Sequence, residues 1–342
     1  MRPRRLSVLV AGVLAAGLAA DAPKPELLTL EGDIERVHDP AIIRENDTYY
    51  VFCTGRRPGG GGIIPIRTSK DLHKWTLSGT VFDQLPDWCT REVPAARDAW
   101  APDISFYNGK FHLYYAISAF GRNTSAIGLA TNVTLDAASP AYKWEDQGMV
   151  VRSTPGVDDF NTIDANLVVE DRNNVWLNWG SFWGGIKMRR LDPATGKLSS
   201  QDQTLYSLCA RPRSNPDLSR AGDGAVEAPF LIRHAGYWYL FVSYDHCCRG
   251  AKSDYKVVVG RATKITGPYV DQKGKPLMEG GGSLVVEAQT DKWRGAGHEA
   301  VLQDKNRDYL VFHAYDAANG RPYLTISTME WEEGWPRVAV MP

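Results

Sequence analysis

Five stretches of the chain follow one plan: a polar residue at a strand start, a short apolar run, a polar turn, then an aromatic-rich strand. They read HDPAIIRENDTYYVFCTG from His38, WAPDISFYNGKFHLYYAIS from Trp100, IDANLVVEDRNNVWLNWGS from Ile163, VEAPFLIRHAGYWYLFVSYD from Val226 and GHEAVLQDKNRDYLVFHAYD from Gly297. Tyr49, Phe111, Val175, Tyr237 and Tyr309 occupy matching places, so the unit recurs after 62, 64, 62 and 72 residues. Short polar turns such as Asn108-Gly109 join two strands at hairpin distance. A unit of this length, made of strand signals and Gly/Pro/Asn turns without long helical periodicity, is a four-stranded sheet with generous loops. Five such units predict an all-β, five-bladed β-propeller, whose radial arrangement protects the strand edges. A pair of packed sheets is the other arrangement, but a sandwich has no reason to restart the same hairpin five times. Closure of the ring makes residues 21–342 a single domain.

The first residues, MRPRRLSVLVAGVLAAGLAADAPKP, place Arg2, Arg4 and Arg5 before an apolar run from Leu6 to Ala20 that closes on small residues. This predicts a signal peptide over residues 1–20 and a secreted or periplasmic mature protein. Uncleaved anchoring is the alternative; the run is short for a span, and no later segment approaches one, so no membrane association is expected after cleavage. With 39 Lys+Arg against 40 Asp+Glu, the formal charge is -1, so no basic field is available to hold phosphate backbones and nucleic acid is not expected as a partner. A monomer is expected. Cys53, Cys89, Cys209, Cys247 and Cys248 are five, so at least one thiol is left over in an exported chain. The adjacent Cys247-Cys248 pair is read either as a vicinal disulfide or as two thiols.

Aligning the residue that opens each repeat gives Asp39, Ala101, Asp164, Glu227 and His298. In a propeller the innermost strands line the axis and their equivalent ends meet at one mouth, so three acids distant in sequence are expected together. A lone acid at a strand end is ordinarily a solvated edge residue. Three in one phase, each beside Pro40, Ala165 or Ala228, point instead to a site. Two carboxylates across a cleft can hydrolyse an acetal, one protonating the leaving oxygen while the other activates water or attacks carbon. A third negative charge raises the proton affinity of the donor. On this reading Glu227, with its longer side chain, is the donor, Asp39 the base and Asp164 the tuner.

These segments, with FGRNTSAIGLATN, GSFWGGIK, YDHCCRG and GPYVD, resemble glycoside hydrolase family 43, specifically its arabinanases, over almost the whole mature chain. The resemblance implies hydrolysis of α-1,5-linked L-arabinofuranose chains with inversion, arabinan or arabino-oligosaccharides being the substrate. By it Asp39 is the general base, Glu227 the general acid, and Asp164 the residue that tunes and orients the acid. It also assigns Trp100, Phe120, Gly121, Asn161, Ser181, Phe182 and Trp183 to sugar binding. Ring faces suit furanose C–H surfaces, and Asn and Ser reach hydroxyls. Trp176 and Trp179 are expected in the core; Trp183 is read either way. His298 corresponds to a histidine near an axial metal ion, usually calcium, with water completing a shell that prefers oxygen. A buried, hydrogen-bonded histidine is the competing reading.

The chain departs from the family at Ala165, where many arabinanases carry Pro, and at Glu299, which adds an acid beside His298. The insert Trp88–Asp98 and the glycine run Gly59–Gly62 could each close one end of a groove. Endo action is expected. The alternatives are an exo-acting arabinofuranosidase, arabinobiohydrolase or β-xylosidase, or a non-catalytic sugar-binding propeller.

Overall fold

The computed structural model describes residues 23–342 apart from Pro216 and Asn306, so the expected signal peptide lies outside the described residues. Five antiparallel sheets form the five-bladed propeller that the repeats predict. The innermost strands are Ala41–Glu45, Trp100–Tyr107, Asn166–Asp171, Val226–His234 and Trp293–Asp304. Each pairs with the second strand of its own hairpin: Thr48–Phe52, Lys110–Ile117, Asn174–Trp179, Tyr237–Tyr244 and Arg307–Asp316. Second strands such as LYYAI, buried throughout, read as continuous apolar runs because neighbouring blades cover both their faces. Trp176 and Trp179 are core residues as expected, at 7% and 0% exposure. Among the described residues no helix is long and apolar enough to cross a membrane.

The ring is closed by the N-terminal segment, which adds to the last blade. Leu28 N–H donates to Ile326 and Arg36 N–H to Pro322, while Leu324 and Thr328 N–H donate back to Ile34 and Glu26. The same segment pairs with the first blade at Glu31–Gly32. First and last blades are also pinned across their hairpins, where Asp304 accepts from Arg44 at 2.7 Å and from Tyr49 at 2.6 Å.

One alignment is corrected by a residue. The left-handed backbone position that opens each inner strand falls on Asp39, Ala101, Asp164, Ala228 and His298. Glu227 therefore stands one place earlier, in the phase of His38, Trp100, Ile163 and Gly297. The register irregularity between Glu227 and Phe230 recurs between Trp100 and Asp103, so it belongs to the common strand entrance and does not set Glu227 apart. Pro40, Pro102 and Pro229, each directly after the left-handed residue, mark the corrected phase. Glu227 still reaches the same cavity, where its extra methylene is of use.

The loops that threatened the groove lie elsewhere. The insert forms a short helix, Asp87–Glu92, that buries Trp88 and Cys89 in the core between the first two blades. Neither it nor Gly59–Gly62 lines the central cavity.

Candidate active site

All eleven predicted site residues line or flank one cavity of about 470 Å³ at the mouth of the axis: Asp39, Trp100, Phe120, Gly121, Asn161, Asp164, Ser181, Phe182, Trp183, Glu227 and His298. Phe120 is 80% exposed and stands on the rim as a free ring face. Trp183 satisfies both readings, since it is 3% exposed, lines the cavity, and donates its indole N–H to the Leu218 carbonyl at 2.9 Å.

The three carboxyls are buried and differently held. Asp39 accepts the Thr54 hydroxyl at Oδ2, 2.5 Å away. Its Oδ1 faces His38 Nδ1 at 2.7 Å and His298 Nδ1 at 3.0 Å. Burial would raise its pKa, but the charges of His298 and His38 prevail and hold it well below the usual carboxylate range. Asp39 is thus an ionised carboxylate in a dry wall, the condition a base needs.

Glu227 accepts two hydroxyl protons, from Ser181 at 2.7 Å and from Tyr255 at 2.8 Å. Ser181 is accordingly spent on Glu227 rather than turned to sugar. Tyr255 fits because Gly297 leaves room: a Cβ there would overlap the Tyr255 ring. Asp164 accepts the Ala228 N–H at 3.0 Å, holding the peptide that follows Glu227. Its pKa is pushed well up by burial and by the charges of Glu227 and Asp39, against the pull of His298. Asp164 is therefore not a fixed negative charge, and it touches the Glu227 segment through the backbone at Ala228.

Sequence reasoning missed the hydroxyls and imidazoles that hold these groups. Near the end of each second strand sits Thr54, Ser118, Ser181, Ser243 or His313. Thr54 also accepts the Ala101 N–H at 2.7 Å, and Ser243 accepts that of His298 at 2.9 Å. His313 Nδ1 accepts the Asp39 N–H at 3.2 Å, and Ser118 reaches Asn161 through Ser125, each step 2.7 Å. One polar side chain per repeat, aimed at the next blade's entrance, was a signal present in the sequence. Tyr255 left none.

On the axis below the acids, a second cavity of about 10 Å³ is lined in part by Asp103, Asp164, His298 and Glu299. Burial raises Asp103 to about 6 and Glu299 to about 7. Glu299 Oε2 accepts from Ser243 at 2.7 Å, while its buried Oε1 has no partner. His298, lowered by burial but raised more by Asp39, lies at about 10. Its Nδ1 faces Asp39, so His298 would hold a cation through Nε2 only on giving up the proton there. Several carboxylate oxygens with one unmet, in room for one water-sized occupant, fit a hard cation such as calcium.

Comparisons with known proteins agree with this geometry. The model of the glycosyl hydrolases family 43 matches residues 34–336. The chain is 44% identical over 306 residues to an extracellular exo-α-(1→5)-L-arabinofuranosidase of Cellvibrio japonicus, covering 88% of this chain and 86% of that protein. It is 41% identical over 326 residues to an extracellular endo-α-(1→5)-L-arabinanase of Bacillus subtilis, covering 94% of each. The structure of a Cellvibrio cellulosa α-L-arabinanase complexed with arabinohexaose superposes with a TM-score of 0.85 at 42% identity, over 90% of this chain and 96% of that one.

Proposed function

The chain belongs to glycosyl hydrolases family 43 and is a glycoside hydrolase, and from that membership we propose that it is a secreted endo-arabinanase cleaving α-1,5-L-arabinofuranosidic bonds with inversion. The observation that carries the reading is the meeting of Asp39, Asp164 and Glu227 in one sugar-sized cleft, each with a different set of partners. Asp39 takes a proton from water as the water oxygen bonds to the anomeric carbon. Glu227 gives a proton to the departing O5, so the C–O bond breaks without an alkoxide. Asp164 keeps Glu227 aimed through Ala228. The aromatic rim supplies faces for sugars on either side of the cut, and binding of those remote rings positions the scissile bond.

Endo action is supported by the absence of the insert and the glycine run from the cleft. The loop that does reach it carries Ala221 and Gly222, which sequence reasoning did not flag. The relatives include both exo- and endo-acting enzymes, so this loop is the place where the exo alternative would be decided. Export is supported by the N-terminal sequence and by the extracellular relatives. If calcium binds, His298, Glu299, Asp103 and Asp164 would hold it with water, and the ion would supply fixed positive charge beneath the acids.

Reducing-sugar release from debranched arabinan tests the reading, with Asp39→Asn and Glu227→Gln as controls. Release by the native protein and loss in both variants is expected; no release would favour a sugar-binding propeller. NMR of the first product should show the inverted anomer, and retention would exclude Asp39 as a base acting on water.

A further inference from the structure

Cys247 and Cys248 are joined by a disulfide, while Cys53, Cys89 and Cys209 are buried thiols. The disulfide pair lines the central cleft at its rim, with Cys247 half-buried and Cys248 exposed, beside His38 and Asp39. It lies on the loop between the strands Tyr237–Tyr244 and Lys256–Ala262, which also carries Tyr255, the donor to Glu227.

From this loop a short chain of contacts runs to the other carboxylate. Cys248 donates its backbone N–H to the Tyr315 hydroxyl oxygen at 2.8 Å. That hydroxyl lies 2.6 Å from His38 Nε2. His38 Nδ1 then stands 2.7 Å from Asp39 Oδ1, a close ion-pair approach without the alignment of a hydrogen bond. His38 carries a hydrogen on Nδ1, since an unprotonated Nδ1 would aim a lone pair at a carboxylate oxygen. The Tyr315 hydroxyl gives its proton to Nε2 when the ring is neutral and accepts from Nε2–H when it is charged. His38 is further clamped by stacking on His313, with ring centroids 4.0 Å apart. Cys248 itself sits at φ 65, a left-handed conformation that a non-glycine residue keeps only where its surroundings impose it. Linking its side chain to Cys247 removes the freedom by which the peptide could turn its N–H elsewhere.

We propose that the Cys247–Cys248 disulfide is a positioning device for the reaction: it fixes one wall of the sugar cleft and, through Tyr315 and His38, the orientation of Asp39. The proposal rests on the reading of Asp39 as the base. Tyr315 and His38 are positioning residues, since they act through Asp39.

The test measures kcat and KM on linear α-1,5-arabinohexaose for Tyr315→Phe, for the double variant Cys247→Ala/Cys248→Ala, and for the three changes combined. Tyr315→Phe keeps the ring and loses only the hydroxyl, so kcat should fall roughly ten- to hundredfold with KM nearly unchanged. The cysteine variant should lose kcat similarly and also raise KM, because the wall is released. The combined variant should be no slower than the worse of its parents, as expected for members of one chain. If the double variant does not fold, treating the folded native enzyme with a soluble dithiol, which reduces the disulfide to two thiols, gives the same comparison. Wild-type kcat in Tyr315→Phe, or a combined loss equal to the product of the separate ones, overturns the proposal. Asp39→Asn separates the two levels. An inactive Asp39→Asn beside an unaffected Tyr315→Phe rejects the positioning alone, and a fully active Asp39→Asn rejects the base assignment beneath it.

Discussion

Tyr255 donates its hydroxyl proton to Oε1 of Glu227 at 2.8 Å, from a position 28 residues away in the chain. Ser181 occupies the other oxygen, so both sides of the acid are fixed before substrate arrives. Tyr255→Phe should lower kcat on arabinan roughly tenfold with little change in KM, because the aim of the acid matters only when the leaving oxygen needs its proton. Steady-state kinetics checks this, and a change confined to KM would place Tyr255 in substrate binding instead.

Glu227→Gln keeps the side chain's size and one acceptor oxygen for Ser181 or Tyr255, but has no acidic proton to give. Hydrolysis of arabinan should fall by at least about a hundredfold. Aryl arabinosides with good leaving groups need less protonation, so their rates should fall much less. Equal losses on both substrates would remove Glu227 from the acid role.

Asp304 ties the first blade to the last, and its pKa is lowered: burial raises it, but Tyr49 and Arg44 pull it further down. A carboxyl depressed in the folded state contributes stability above its unfolded pKa and loses it as pH falls through the folded one. Asp304→Asn should therefore lower the melting temperature at neutral pH and converge with the native protein below about pH 3. Parallel melting curves over that whole range would mean that Asp304 contributes nothing to ring closure.

Chelation tests the axial cation. Excess chelator should lower the melting temperature or the rate, and calcium should restore it, because an ion bound only by the folded state stabilises by mass action. Glu299→Gln, which changes the unmet carboxylate oxygen, should weaken that restoration. Melting and rate unchanged by exhaustive chelation would leave His298 as an ion-pair partner of Asp39 and nothing more.

The fold was legible because a propeller writes itself five times, and even Val175, an aliphatic residue in an aromatic position, did not hide the period. That Asp39, Asp164 and Glu227 meet at one cavity was legible because they occur where the repeats begin. Glu227 stands one residue before the phase of Asp39 and Asp164, an offset that the alignment of Pro40, Pro102 and Pro229 carries but that the hairpin landmark Tyr237, ten residues after Glu227 as Tyr49 is after Asp39, conceals. The Trp88 insert was read as a possible cleft wall, whereas its two apolar residues find more burial between blades. Tyr255, Tyr315 and the Asp304 clasp were invisible. Tyr315 and Asp304 act on groups brought near only by closing the ring, and Tyr255 reaches Glu227 across its own blade from an irregular loop; nothing in the local sequence marks which hydroxyl will find a carboxylate.

The most direct measurement of the account is the chromatographic profile of the first minutes of digestion of linear arabinan. A cleft that neither the Trp88–Asp98 insert nor the Gly59–Gly62 run enters should admit internal bonds, giving a ladder of mixed arabino-oligosaccharides before much arabinose forms. A single mono- or disaccharide from the outset would contradict it, and would mean that the loop carrying Ala221 and Gly222 closes one end of the groove into a pocket.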